Sequence, residues 1–272
     1  GYQSLFSNTC GSANTAIGSF ALCRNTTGFN NVAIGQTALC TNTFGQRNTA
    51  IGVQSMKVNT VGGCNVAIGF NSLTANTTGT ENTALGYQAL CTNTTGIRNV
   101  AIGNQALENN TIANYNIAIG YYALNQNTTG TSNVAIGSSA LRVNTIGVQN
   151  TAIGVSSLQN NTTAGNNVAL GFYTLNANTI GQYNTALGTN SLRVNTTGGN
   201  NSAVGYEALR YNTTGQYNVG VGLAALRSNT IGEKNTGVGS SSLYYNTTGN
   251  YNTAVGFESL KANTIGQYNV AV

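Results

Sequence analysis

The chain has 272 residues, of which 35 are Gly and 44 are Asn, and it contains no Pro, Trp, His or Asp. Ten Lys or Arg and five Glu give a net charge of +5. Without His or Asp, the sequence excludes a Ser-His-Asp triad, a His-ligated zinc site and an Asp-rich calcium loop. The basic residues are scattered, and no apolar run approaches the roughly 18 residues of a membrane helix. We therefore expect neither nucleic-acid binding nor membrane insertion.

A strict repeat organises the whole sequence. Gly recurs at intervals of 17 from Gly1 to Gly256 and defines sixteen repeats without insertions. We number the positions of each repeat as places 1 to 17, with this Gly at place 1. Asn fills places 8 and 14 and Thr fills place 9 in every repeat, and place 5 is Leu except for Met56. Fixed-length repeats are typical of stacked coils. We predict one continuous repeat domain over 1–272, as a segment of a longer chain or filament.

Each repeat predicts the same elements in order. Places 4–7, A-L-x-x, form a short extended segment, and N-T-T-G at places 8–11 predicts a turn because Asn and Gly tolerate positive φ. G-x-x-N at places 11–14 predicts a second corner. N-V-A-I-G, from place 14 into the next repeat, is bounded by Asn and Gly and predicts a strand. The sequence therefore predicts an all-β fold, a parallel β-solenoid (β-roll or β-helix) of sixteen 17-residue coils.

Stacking places equivalent residues about 4.8 Å apart in columns. We expect two apolar columns, at places 5 and 17, to form a thin core, and the Asn columns at places 8 and 14 to form hydrogen-bonded amide ladders. Charged residues occur only at places 3, 6, 7, 12 and 13, which we expect to face solvent. The residues predicted to lie in the core include Leu22, Leu39, Leu90, Ile34, Ile51 and Ile102. The residues predicted to form the ladders include Asn8, Asn25 and Asn42 at place 8 and Asn14, Asn31 and Asn48 at place 14.

Five cysteines lie in the first third of the chain. Cys23 and Cys40 share place 6 of adjacent repeats, so their Cα atoms are expected about 4.8 Å apart, within the range of a disulfide. We expect either a Cys23–Cys40 bridge or two free surface thiols. Cys10, Cys64 and Cys91 lack an obvious partner. Without His or a C-x-x-C pair, no metal site is predicted.

N-x-T sequons recur at place 8 and raise the possibility of N-glycosylation. Place 8 is also Asn where no sequon exists, as at Asn42 and Asn144. An inward-facing Asn ladder could not carry a glycan, so a structural role competes with modification. The candidate acceptors include Asn25, Asn76, Asn93 and Asn127.

The strand motif resembles a known family. The sequence N-V-A-I-G at 31–35, 99–103 and 133–137 is similar to the head repeats of trimeric autotransporter adhesins. That resemblance implies a left-handed, trimeric β-roll on a bacterial surface. The longer motif at 82–90, followed by N-T-T-G at 93–96, resembles repeats of phage and giant-virus tail-fibre-like proteins and of secreted bacterial surface proteins. Both resemblances imply an extracellular location, as a cell-surface appendage or virion fibre.

Three functional hypotheses follow. The first is a structural protein: a stiff extracellular β-solenoid fibre that associates with itself end to end or laterally. The second is an adhesin or tail-fibre shaft that binds glycans or host surfaces through exposed Tyr, Thr and Arg columns. The third is ice binding by flat Thr ladders. No titratable cluster indicates a catalytic site, so we expect no enzyme activity and no cofactor.

Overall fold

A computed structural model describes all residues from Gly1 to Val272 and shows an all-β chain with one strand in each repeat. Every strand covers places 15–17, apart from the last, which covers two residues. Neighbouring strands are parallel and 17 residues apart, as in the pairing of Ile34 with Ile51. The prediction of a parallel β-solenoid is confirmed.

The chain divides into two compact units, Gly1–Asn133 and Val134–Val272. The first unit contains seven strands, each paired with the next: β1 (Thr15–Ile17), β2 (Val32–Ile34), β3 (Thr49–Ile51), β4 (Val66–Ile68), β5 (Thr83–Leu85), β6 (Val100–Ile102) and β7 (Ile117–Ile119).

The second unit contains nine strands in the same parallel arrangement, each paired with the next. They are β8 (Val134–Ile136), β9 (Thr151–Ile153), β10 (Val168–Leu170), β11 (Thr185–Leu187), β12 (Ser202–Val204), β13 (Val219–Val221), β14 (Thr236–Val238), β15 (Thr253–Val255) and β16 (Val270–Ala271).

The core of each unit is built from Leu and Ala columns. Leu22, Leu39 and Leu90 at place 5 are fully buried, as are the Ala residues of place 16 in the strands from β2 to β12. Place 4 supplies further buried Ala and Ser side chains, such as Ala38 and Ser55. Since successive strand residues point to opposite faces, an inward place 16 forces places 15 and 17 outward.

The predicted second core column at place 17 is therefore wrong. Ile34, Ile51 and Ile102 are only half-buried, and Ile17 is 58% exposed. The interior leaves little room opposite the Leu column: a Cβ atom built on Gly220, at place 16, would lie 3.3 Å from Cγ of Leu209. Ala fits this space, whereas an inward Ile would overlap Leu.

Left-handed backbone conformations bend each coil. The Leu residues of place 5 have φ near +50°, as at Leu22 (φ 52°), and places 3 and 13 are also left-handed. Such a conformation costs a non-Gly residue about 1–2 kcal/mol. A hydrogen bond to the next coil compensates, as from Leu22 N–H to the Ala38 carbonyl (3.0 Å). The invariant Leu thus turns the chain as well as filling the core.

Glycine at place 1 is required by both conformation and space. Gly52 has φ +134°, a region that is essentially restricted to Gly. A Cβ atom there would lie 2.4 Å from the carbonyl oxygen of Gly69 in the next coil. The close approach of these backbones explains why the period is marked by Gly.

Candidate functional site: amide ladders and exposed columns

Buried Asn side chains of place 8 form the first amide ladder. Asn42 donates from Nδ2 to Oδ1 of Asn25 in the preceding coil (2.8 Å) and to the Gly45 carbonyl of its own coil (2.9 Å). Asn25 makes the same pair of bonds, to Asn8 and Gly28. The ladder therefore ties neighbouring coils together and holds the turn at places 8–11 closed.

Place 14 forms a second ladder. The backbone N–H of Asn31 and its Nδ2 both donate to Oδ1 of Asn14 (3.0 and 3.2 Å), and Nδ2 also donates to the Gly45 carbonyl (2.9 Å). Asn48 repeats the contact with Asn31. The Gly45 oxygen thus accepts one bond from each ladder. Because these buried polar groups have partners, burying them carries no unpaired penalty.

The geometry of the first ladder excludes the predicted glycans. Asn25, Asn76, Asn93 and Asn127 have no exposed surface. Each amide nitrogen donates to Oδ1 of the Asn in the preceding coil. A glycan on such a nitrogen would have no space and would remove a buried hydrogen bond, so the prediction of glycosylation is wrong for the folded chain.

The invariant Thr column at place 9 also has a backbone role. Thr26 donates from Oγ1 to the Thr43 carbonyl (3.0 Å), and Thr43 repeats this bond with Thr60 (3.1 Å). The same carbonyls accept N–H groups from the turn of the preceding coil. These hydroxyl groups therefore donate within the protein and help to join neighbouring coils.

The five cysteines are free thiols, so the predicted Cys23–Cys40 bridge is not formed in the structure. In-register stacking holds the two side chains parallel, so their Cβ atoms are expected at the coil spacing of about 4.8 Å, beyond the usual range of a disulfide. Burial raises the pKa of Cys40, and the negative charge of a Cys23 thiolate raises it further. Burial likewise raises the pKa of Cys91, with Glu108 adding to the effect. Cys10 and Cys64 are exposed.

The outward face of the strands is an uncharged surface in both units. We call places 15 and 17 the sheet face; they carry only Thr, Ser, Val, Ile and Leu. Several of these apolar side chains are exposed, including Ile17 (58%) and Leu170 (44%). Place 2, just after the strand, adds exposed rings such as Tyr121 and Phe172. The face thus presents a regular uncharged array of aliphatic and hydroxyl side chains.

A basic and aromatic cluster lies in the second unit. Arg193, Arg210 and Arg227 occupy place 6 of three successive coils, and we call them the arginine stripe. Glu207 forms ion pairs with Arg210 and Arg227, the latter with Nε at 2.6 Å from Oε2. The Tyr211 ring lies 5.1 Å from the guanidinium carbons of both arginines. Cation–π contacts and one shared carboxylate therefore hold these side chains in place.

The electrostatics of Glu207 follow from this arrangement. Burial alone would raise its pKa, but the hydrogen bond from Arg227 and the charges of Arg210 and Arg227 together outweigh burial and lower it. The same hydrogen bond raises the pKa of Arg227. The group stays ionised and paired at neutral pH. The expectation that place 3 faces solvent is wrong for Glu207, which is only 8% exposed, and its pairing with Arg210 and Arg227 at place 6 was not predicted.

No group of Cys and Glu side chains in the structure is arranged to hold a metal ion. The structure contains no helix that is long and apolar enough to cross a membrane. No protein-family model and no curated protein matches the chain.

Proposed function

We propose that the protein is a structural element of an extracellular fibre, in which its coils supply stiffness. The observation that carries the proposal is the pair of buried Asn ladders. In each unit they run alongside the backbone ladder, so that bending would strain several inter-coil hydrogen bonds at once. For example, coils two and three are joined by Asn42 to Asn25, by Asn48 to Asn31 and by the strand pair β2–β3.

The composition of the side chains supports a mechanical role. Asn, Gly, Thr and Leu recur at fixed places along the repeats. Their recurrence maintains the contacts between coils, since these residues are buried or bonded to neighbouring coils. The charged residues are few, and all except Glu207, which is buried against two arginines, are half-buried or exposed. A chain of this kind transmits force through many equivalent weak contacts, as in other stacked repeats.

Lateral self-association through the sheet face is the second element of the proposal. This face carries no charge in any repeat, so two copies can approach without electrostatic repulsion. Its exposed Ile, Leu and Val side chains would lose contact with water on pairing, at about 25 cal/mol per Å² of apolar surface. The resemblance to adhesin heads favours three copies, and end-to-end association is a further arrangement.

Sedimentation velocity over a concentration series tests self-association. We expect the unmodified chain to form oligomers, and the double variant Leu170→Lys/Val204→Lys to stay monomeric because it charges the sheet face. Gln182→Lys/Gln216→Lys adds the same charge at place 12 and should associate normally. Electron microscopy of the oligomers should then show fibres with an axial repeat of about 4.8 Å. A monomer at every concentration, or equal effects of both double variants, would overturn the proposal.

A further inference from the structure

We propose that the arginine stripe binds a linear acidic polysaccharide, with the carboxylate or sulfate groups of the polymer paired to Arg193, Arg210 and Arg227. This binding activity is independent of the structural role. It concerns one side of the second unit, where side chains at the variable places 3, 6 and 7 come together.

The stripe presents positive charge at a regular spacing. Its three arginines are 17 residues apart, so their backbones stand about 4.8 Å apart on adjacent coils. Glu207 is the only carboxylate paired with them, which leaves a charge of +2 from three arginines and one glutamate. Arg193 forms no ion pair and instead lies 5.2 Å from the centre of the Tyr173 ring. The stripe therefore retains capacity for external anions.

The arginines pack against aromatic rings of the protein. The Tyr211 ring lies 5.1 Å from both Arg210 and Arg227, and the Tyr244 ring lies 5.5 Å from Arg227. Ordered guanidinium groups lose less conformational entropy on binding than free ones. The planar group can also bond a carboxylate or sulfate through two parallel N–H donors.

The same contacts favour an acidic polysaccharide over a nucleic acid. Single-stranded nucleic acid needs open aromatic faces on which bases stack. The Tyr211 ring is instead covered by two arginines, with the guanidinium carbons of Arg210 and Arg227 each 5.1 Å from its centre. The modest charge of the stripe also suits a polymer with widely spaced anions, whereas nucleic acid presents a phosphate at every nucleotide. The half-buried stripe lies outside any pocket, which suits a chain-like ligand that spans several coils.

Biolayer interferometry at about 0.15 M salt provides the test, with polygalacturonate and heparin as carboxylated and sulfated probes. Dextran is the neutral control, and single-stranded DNA is the rival polyanion. We expect binding to at least one acidic polysaccharide and none to dextran. Arg193→Gln/Arg227→Gln should weaken binding at least about tenfold. Lys57→Gln removes the same charge at place 6 of the first unit, beside uncharged place-6 neighbours, and should change affinity less than about twofold.

Two further variants keep the result interpretable. Arg193→Gln alone breaks no ion pair, so it should fold normally and still weaken binding several-fold. Arg193→Lys/Arg227→Lys preserves charge but loses the planar donors, and we expect it also to bind more weakly. Absence of binding to both acidic probes, wild-type affinity in the Lys variant, an equal loss in Lys57→Gln or stronger binding to DNA would each overturn the proposal.

Discussion

Asn42 and Asn25, one coil apart, are joined by a 2.8 Å hydrogen bond from Nδ2 of the first to Oδ1 of the second, and both side chains are fully buried. Each amide thus acts as donor to one neighbouring coil and as acceptor from the other. The Asn residues of place 8 form a chain of such bonds whose direction never reverses within the ladder. Stability should therefore depend on each buried Asn.

Asn82→Ala tests this dependence in the first unit. The substitution leaves the backbone N–H of Asn99 without a partner, whereas Oδ1 of Asn65 loses the side-chain donor but keeps the backbone N–H of residue 82. We expect the free energy of unfolding to fall by about 1–3 kcal/mol, the cost of one buried unpaired group. Urea denaturation followed by circular dichroism measures the change. The exposed Asn104→Ala is the control and should stay within about 0.5 kcal/mol of the unmodified protein. Equal stability of both variants would contradict a structural role for the ladder.

Gly52→Ala tests the close approach of neighbouring coils. Strain at φ +134° and a Cβ atom 2.4 Å from the Gly69 oxygen should together cost at least about 3 kcal/mol. Gly63→Ala is the matched control because its Cβ would lie 3.1 Å from the Gln46 oxygen and its φ is not positive. The thermal unfolding midpoints of the two variants should differ clearly. A Gly52→Ala protein as stable as the unmodified chain would show that the coils can move apart without loss of stability, which contradicts the prediction.

Leu107→Ala and Ile102→Ala compare the two apolar columns. Leu107 is fully buried, and its truncation should cost about 2–5 kcal/mol through lost contacts and a cavity. Ile102 is half-buried on the sheet face, so its truncation in isolated monomer should cost about 1 kcal/mol. Denaturant titration at low protein concentration separates these values from effects on self-association. A larger loss for Ile102 would restore place 17 as a core position.

Thiol labelling should follow burial and pKa. Cys40 has a raised pKa because of burial and the neighbouring Cys23, so a smaller fraction of it is thiolate at pH 8. Iodoacetamide should therefore modify the exposed Cys64 faster than Cys40, and the rate at Cys40 should continue to rise above pH 9. Peptide mass spectrometry measures both rates. Labelling of denatured protein is the control, in which the difference should vanish.

Glu207 should make stability depend on acid pH. Its lowered pKa in the folded protein means that its stabilising effect is complete above the unfolded pKa of about 4.3 and disappears as pH falls through the lower folded value. Glu207→Gln should therefore be less stable than the unmodified chain at pH 7, and the difference should shrink as the pH falls below the unfolded value. Glu81→Gln breaks the exposed pair with Arg98 and should have a smaller effect at pH 7. A constant difference for Glu207→Gln at all pH values would contradict this account.

The repeat made the fold predictable, because identical places in every repeat can be satisfied together only by stacking. The buried Asn columns followed from the same argument. The orientation of the strand did not: with three residues, T/V-A-I can point either its Ala or its Ile inward, and hydrophobicity favours Ile. Which side chain points inward depends on the width of the interior. The short distance from Leu209 to a Cβ atom built on Gly220 shows that this interior is narrow.

The candidate binding surface was predictable only in part. Arg193, Arg210 and Arg227 share place 6, so their alignment on adjacent coils followed from the repeat. The contacts of Glu207 and Tyr211 with two of them did not, because they depend on side-chain directions, and Glu207 has a left-handed backbone (φ 56°). The left-handed conformation of the Leu residues at place 5 was also not predictable, since Leu rarely adopts positive φ.

The constant 17-residue offset between bonded partners has an evolutionary consequence. Loss or duplication of a single residue would move Gly, Leu and both Asn columns out of step with their neighbours. Duplication of one complete repeat would instead supply each new residue with the same partners as its template, as the equivalence of Asn25 and Asn42 illustrates. Gene variation can therefore lengthen or shorten this protein in whole coils while preserving every type of contact, so that length can evolve separately from fold.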